Sequence, residues 1–146
     1  MNMKLVMTTA NQGCRLGILV AALSIPTLAI AQPLTIEIED TASLLPQGAA
    51  AIVSVEVSCG EPANIEIFND TLSVLLTQHL ENGTVQGFGY TDDFDCSSTP
   101  QIVEVTVSTP RAFREGQADA EASLSACGPE GCKTIRDIEE VTLVGD

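Results

Sequence analysis

The feature that most limits the fold of this chain is a period-two alternation of apolar and polar residues, which recurs from about residue 34 to residue 144. Successive side chains of a β-strand point to opposite faces, so alternation predicts a strand with one buried face. In residues 51–59, valines at 53, 55 and 57 alternate with polar residues. No segment keeps helical spacing for a dozen residues. The other predicted strands are residues 34–39, 63–68, 72–80, 84–90, 101–108, 117–126 and 134–144.

Turn-forming residues separate these strands and set their pairing. Asn82-Gly83 is the strongest local signal, because a type I′ hairpin turn needs positive φ at both central residues. It predicts a hairpin between residues 72–80 and 84–90. Residues 117–126 are rich in Ala and include Glu121, both good helix formers, but their strict alternation favours a strand. Seven or eight short strands predict an all-β fold, specifically an antiparallel β-sandwich.

Residues 1–31 have the order of a secretory signal peptide. Lys4 and Arg15 precede an apolar stretch at 16–28, and the small-x-small triplet Ala29-Ile30-Ala31 follows. The apolar stretch has 13 residues, whereas a membrane-spanning helix needs about 20. We therefore expect cleavage near Ala31, secretion to the periplasm or the medium, and a single domain at 32–146. The alternative is an uncleaved anchoring helix.

The mature region is strongly acidic. Its 20 Asp and Glu residues face four basic ones, which gives a net charge of −16. Nucleic acids and anionic membrane surfaces are bound through Lys and Arg, so we expect neither as a partner. The acidic residues are mostly spread singly, which favours a solvated surface over a cation-binding surface. We also expect the protein to be a monomer.

Four cysteines remain once Cys14 leaves with the signal peptide: Cys59, Cys96, Cys127 and Cys132. An even number in an exported domain predicts two disulfides. The tetrapeptide 128–131 forms a turn that brings Cys127 to Cys132, which leaves Cys59 to pair with Cys96. A zinc site from the same thiols is disfavoured, because there is no Cys-x-x-Cys pair and His79 is the single histidine.

The chain contains three motifs in this order: Cys96-Ser-Ser-Thr-Pro, Phe113-x-x-Gly, and Cys127-x4-Cys132. In these motifs the chain resembles a family of small secreted bacterial proteins of unknown function, with Cys59 in the position of the family's first cysteine. The resemblance implies an immunoglobulin-like antiparallel β-sandwich of 7–8 strands with two disulfides, and it implies export. The Cys127-x4-Cys132 clip is also similar to one in the neocarzinostatin-type apoproteins, which hold an enediyne chromophore.

The sequence has no catalytic constellation, so we expect no enzyme activity and no cofactor. His79 is expected to be an ordinary exposed side chain. Asp92, Asp93 and Asp95 supply oxygen ligands of the kind Ca²⁺ prefers, but without EF-hand spacing, and a solvated acidic loop is the favoured interpretation.

The remaining candidate groups are aromatic and basic. Phe88, Tyr90 and Phe94 lie close together in the sequence, and we expect at least two of them to pack in the core; the alternative is an exposed contact patch. Arg111 and Arg114 flank Phe113, where they are placed to form an intramolecular salt bridge.

These observations favour a secreted, non-enzymatic binding or structural module whose partner is an unidentified protein or small ligand. The alternatives are a small-ligand carrier with an apolar cleft between the sheets, and a surface module stabilised by Ca²⁺.

Loop length predicts that the two disulfides differ in their contribution to stability. In the loop-entropy model the Cys59–Cys96 bond contributes roughly 4 kcal/mol and the Cys127–Cys132 bond roughly 2 kcal/mol. Cys59→Ala should therefore lower the free energy of unfolding more than Cys132→Ala in urea titrations. Equal losses would show that the entropy of the unfolded chain does not set the difference.

Overall fold

The computed structural model describes residues 33–60, 69–128 and 131–145. The predicted signal peptide at 1–31 and the predicted strand at 63–68 lie outside the described residues. Among those described, no helix is long and apolar enough to cross a membrane. The described strands are β1 Thr35–Leu44, β2 Ala50–Ser58, β3 Asn69–Leu80, β4 Gly83–Thr91, β5 Gln101–Ser108, β6 Gly116–Gly128 and β7 Gly131–Gly145, and a 3₁₀ turn at Pro46–Gly48 joins β1 to β2.

The seven strands close into a barrel in the order β1-β2-β5-β4-β3-β6-β7. Neighbouring strands are antiparallel except β1 and β7, which pair in parallel from Thr41↔Thr142 to Leu44↔Gly145. The predicted immunoglobulin-like sandwich is therefore wrong, whereas the all-β class and the two disulfides are confirmed. The alternation determines which side chains are buried in each strand. It does not determine that the first and last strands meet, because that contact joins residues about a hundred positions apart.

The predicted strands that lie within the described residues are confirmed, including β6, which is a strand rather than a helix. The predicted hairpin is present, but its turn lies one residue earlier than expected. Leu80 pairs with Gly83, so Glu81 and Asn82 are the central turn residues. Gly83 has φ +122°, and Gln47 is the only non-glycine residue with positive φ in the described ranges. The type I′ turn at Asn82-Gly83 is thus wrong, because the β3–β4 register places Gly83 in the strand.

Aliphatic side chains of small and medium size fill the barrel. β2 contributes valines at 53, 55 and 57, each with no exposed surface, and β6 contributes alanines at 118, 120 and 122. The two rows differ in volume, and the alanine row allows facing strands to approach closely, as the narrow interior of a small barrel requires. Among the described residues, the buried cluster has 21 apolar members, so the chain's own side chains occupy the interior of the barrel.

One end of the barrel is closed by the connection between β5 and β6. Phe113 is 3% exposed, and its N–H donates to the carbonyl oxygen of Gly48 over 2.8 Å. Gly48 has φ +67°, and a Cβ there would overlap the Phe113 backbone. The buried Gln78 fixes the next residue, because its Oε1 accepts from the Arg114 N–H at 2.9 Å and its Nε2 donates to the Arg114 carbonyl at 2.7 Å.

Both disulfides join the residues that the sequence pairs. Cys127 and Cys132 are register partners at the tip of the β6–β7 hairpin. Cys59, just after β2, is bonded to Cys96 in the connection between β4 and β5. All four thiols are used, so the zinc alternative is wrong. Paired disulfides are typical of domains that fold in an oxidising compartment.

The junction of β4 with β5, here called the β4–β5 seam, is held by a single register pair, Phe88 with Ser108. Glycines let the two backbones meet there. A Cβ on Gly87 would lie 2.8 Å from the Ser108 carbonyl oxygen, and a Cβ on Gly89 would overlap the Thr106 carbonyl. Barrel closure at this point therefore depends on two inward positions of β4 that carry no side chain.

Gly89→Ala should destabilise the protein by about 1–3 kcal/mol, because the added methyl group forces β4 away from the Thr106 backbone. Gln86→Ala, on the exposed face of the same strand, is the control and should change stability by less than about 0.5 kcal/mol. Denaturant unfolding measures both. A Gly89→Ala protein as stable as the control would show that close backbone approach is not required.

Candidate functional site

Large apolar side chains are exposed on the outer face beside the β4–β5 seam. Phe88 and Tyr90 occupy alternate positions of β4 and are 56% and 68% exposed. Their ring centroids lie 6.5 Å apart with the planes tilted by 32°, within the range of an aromatic pair. Ile102, near the start of β5, is 51% exposed. A run of adjacent exposed rings is unlike isolated surface hydrophobic residues, which are common and need no explanation.

The expectation that at least two of the three neighbouring aromatics pack in the core is wrong. Only Phe94 packs partly against the core, and Phe88 and Tyr90 point to solvent. The reason is the phase of β4. Val85 faces inward, Gly87 and Gly89 follow it at a spacing of two, and the intervening aromatic residues therefore face outward. The alternation that begins at Val85 predicts that both rings face outward. The hydrophobicity of aromatic side chains, taken alone, predicts that they are buried.

A groove of about 790 Å³ lies between the end of β4 and the start of β5. Past the Phe88–Ser108 pair, the described residues of these two strands form no further register pair, and residues 92–95 of their connection form one wall of the groove. The groove is lined by Thr91, Asp92, Asp93, Phe94, Asp95, Gln101, Ile102, Val103 and Glu104. Four of these residues are carboxylates, all exposed, and none is basic. The groove therefore presents a mainly polar surface of negative charge.

The connection that forms one wall of the groove is tied to β2. The Cys59–Cys96 disulfide links the two segments, and the Cys59 N–H donates to the Ser97 carbonyl at 2.8 Å. The Ser58 hydroxyl donates to the Ser98 carbonyl at 3.2 Å. Gln101 Nε2 donates to the Asp95 carbonyl, which joins the wall to β5. The acidic wall is therefore held in place by covalent and hydrogen bonds before any ligand binds.

Asp70, near the start of β3, is the one described group whose titration is clearly altered. Burial raises the pKa of Asp70 above its ordinary value of 3.8, the Cys96 N–H opposes this by donating a hydrogen bond, and the nearby Asp95 carboxylate raises the pKa further. Its Oδ1 is buried without a hydrogen-bond partner among the described residues. This coupling joins residues far apart in the sequence, so the sequence gives no signal of it.

His79 is exposed, as predicted. Its Nδ1 lies 3.2 Å from Thr84 Oγ1, and its Nε2 lies 3.7 Å from Asp119 Oδ2. These contacts follow from the sheet register, in which His79 pairs with Thr84, and the three residues stand on an exposed face rather than in a cleft. A hydroxyl, an imidazole and a carboxylate in contact form a nucleophilic triad only where substrate and oxyanion are also held. We therefore interpret the group as surface hydrogen bonding.

Asp92, Asp93 and Asp95 all line the groove, but they do not converge on a common point. In the described ranges, no group of three or more His, Cys, Asp or Glu side chains is arranged to hold a metal ion. The basic pair is also separated from the groove. Within the described residues, neither Arg111 nor Arg114 forms an ion pair, and Arg114 contributes through its backbone contacts with Gln78.

The comparisons with known proteins assign no family. No protein family and no curated protein matches the chain. A solved structure that it resembles is AggA, the major subunit of aggregative adherence fimbriae type I from Escherichia coli, at 12% identity and a TM-score of 0.38, over 78% of this chain and 95% of that one. Similarity this low identifies neither fold family nor function. The sequence resemblances to the secreted bacterial family and to the neocarzinostatin-type apoproteins find no match here, and the closed barrel contradicts the sandwich that they imply.

Asp70→Asn should stabilise the protein at pH 7. The substitution removes a partly buried charge and keeps an oxygen that accepts from the Cys96 N–H. Because the folded-state pKa of Asp70 is raised, the wild-type protein regains stability as the pH falls through that pKa towards 3.8. The advantage of the variant should therefore shrink over the same pH window. Thermal unfolding at pH 7 and pH 3.5 measures it, with the exposed Asp92→Asn as the control for net charge; a gain independent of pH would contradict the assignment.

Proposed function

We propose that the protein is a secreted, non-enzymatic binding module that recognises its partner through the seam surface, defined as Phe88, Tyr90, Ile102 and the adjoining acidic groove. The observation that carries the proposal is the exposed Phe88–Tyr90 pair. Full burial of a ring of this size is worth about 1.5–3 kcal/mol relative to exposure. A partner that covers these two solvent-exposed rings would therefore remove apolar surface from water, which favours binding.

The composition of the seam surface supports a protein interface. Aromatic residues are enriched among the side chains that dominate binding energy, especially where they lie at the centre of a contact with a polar rim. Here the rings are flanked by exposed carboxylates of the groove. The two disulfides and the signal-peptide pattern support a location outside the cytoplasm.

An enzymatic function has less support. The groove is lined by Thr91 and by carboxylates but by no histidine, cysteine, serine or lysine, so it lacks the Ser–His or Cys–His pair that activates the common nucleophiles. A carrier of small apolar ligands also has less support, because the described aliphatic side chains fill the barrel interior. A surface stabilised by Ca²⁺ would need converging oxygen ligands, and those of Asp92, Asp93 and Asp95 are spread along one wall.

Site-specific photo-crosslinking tests the proposal. A benzoylphenylalanine at position 90 should yield one discrete adduct when the protein is produced in its own cells, and Phe88→Ser in the same chain should weaken that adduct. Position 138 is the matched control, because Ile138 on β7 is 67% exposed and Tyr90 is 68% exposed. The same adducts from both positions, or none from position 90, would contradict recognition at the seam surface.

A further inference from the structure

We propose that the acidic groove between β4 and β5 binds an extended peptide segment rich in lysine or arginine, which adds as a strand to the open edge of β5. This inference rests on the proposed function and names the class of partner for the same surface. It combines two independent observations: an unpaired strand edge and a groove lining that carries charge of one sign.

The first observation is the edge itself. On one side, β5 pairs with β2 from Val57↔Gln101 through Ser54↔Glu104. On the other side, residues 101–104 form no register pair with any described residue, and they line the groove. An open edge presents alternating N–H and C=O groups that an extended peptide can pair with. At about 3.3 Å per residue, these four positions offer roughly 13 Å of edge.

The second observation is charge. Asp92, Asp93 and Asp95 stand on one wall of the groove and Glu104 on the other, with no basic residue in the lining. Lys and Arg side chains of an added strand would reach these carboxylates in charge-assisted hydrogen bonds. The exposed rings of Phe88 and Tyr90 lie beside the groove, where cations bind favourably over an aromatic face. The groove thus suits a peptide that alternates basic and apolar side chains.

Charge also opposes other occupants. An acidic peptide or a nucleic acid would be repelled by the four carboxylates. A second copy of this chain also has many more acidic than basic residues, so self-pairing at this edge meets the same repulsion. Among extended partners, a basic peptide is the one whose charges are attracted by the carboxylates of the groove.

A second open edge in the barrel differs in the features that matter. Residues 131–140 of β7 form no register pair with the described part of β1, whose pairing with β7 begins at Thr41. This edge carries both signs of charge, including Lys133, Arg136 and Glu139, and Asp137 Oδ2 accepts from the Ile38 N–H at 2.9 Å. Mixed charges along an edge discourage strand addition. Among the described residues, the β5 edge faces carboxylates and no basic side chain, so charge there does not oppose a basic strand.

Fluorescence anisotropy with a labelled peptide of four Lys-Val repeats tests the inference on the full chain, expressed with its leader and purified with its disulfides formed. Binding should weaken at least tenfold for Asp92→Asn/Asp93→Asn/Asp95→Asn. The matched control is Glu37→Gln/Glu39→Gln/Asp40→Asn, which removes three carboxylates from another acidic groove, on β1, and should leave the affinity unchanged. Binding should also weaken as salt is raised.

Backbone pairing is tested separately from charge. The same peptide N-methylated at alternate amides keeps its four charges but loses the donors of one edge, and it should bind at least tenfold more weakly. Hydrogen exchange should slow at amides within 101–104 when the unmethylated peptide is present.

Equal affinity for the methylated peptide, equal losses in both carboxylate variants, or no binding would each overturn the inference. These results leave the crosslink from position 90 unaffected, so failure of strand addition is distinguishable from failure of the proposed function.

Discussion

The barrel depends on the approach of β4 to β5 through Gly87 and Gly89. Elsewhere most inward positions of the described strands carry Val, Leu or Ala, which keep facing strands apart by the volume of a side chain. On β4 those two positions are empty, and the strand settles against the backbone of Thr106 and Ser108. The ring of Phe113 reaches the space beside Gly87 and closes the adjoining end of the barrel.

This contact accounts for both the closure of the barrel and the opening of the groove. Because β4 and β5 share only the Phe88–Ser108 register pair, ladder hydrogen bonds do not extend along the two strands, and a groove lies between the end of β4 and the start of β5. With the inward side of β4 filled by backbone, its large side chains lie on the outer face. The exposed aromatic pair and the adjacent groove are therefore consequences of one arrangement of alternating glycines.

The sequence predicts most strands because alternation is a local property that burial enforces. It also predicts both disulfides, since the Cys127–Cys132 turn is short and leaves one remaining pair. Barrel closure is not local: the β1–β7 contact is chosen by strand twist and by the volume of the interior, neither of which appears in the period of any one strand. The position of Phe88 differs from the prediction for a related reason, because hydrophobicity favours the core whereas the phase set by Val85 places the ring outside. Ile102, Glu104 and Asp70 gave no signal, since their importance arises from neighbours that the fold supplies.

The Cys59–Cys96 disulfide connects stability to recognition. Aromatic residues make up 3% of the chain, and a core of Val, Leu and Ala buries less apolar area per side chain than one built on large rings. A covalent bond that closes a long loop offsets part of that difference by restricting the unfolded chain. The same bond fixes the connection that carries Asp92, Asp93 and Asp95. Less conformational entropy is then lost when a partner binds, because the acidic wall is already ordered. A domain with a small-residue core can thus hold a rigid recognition surface at the place where its chain is crosslinked.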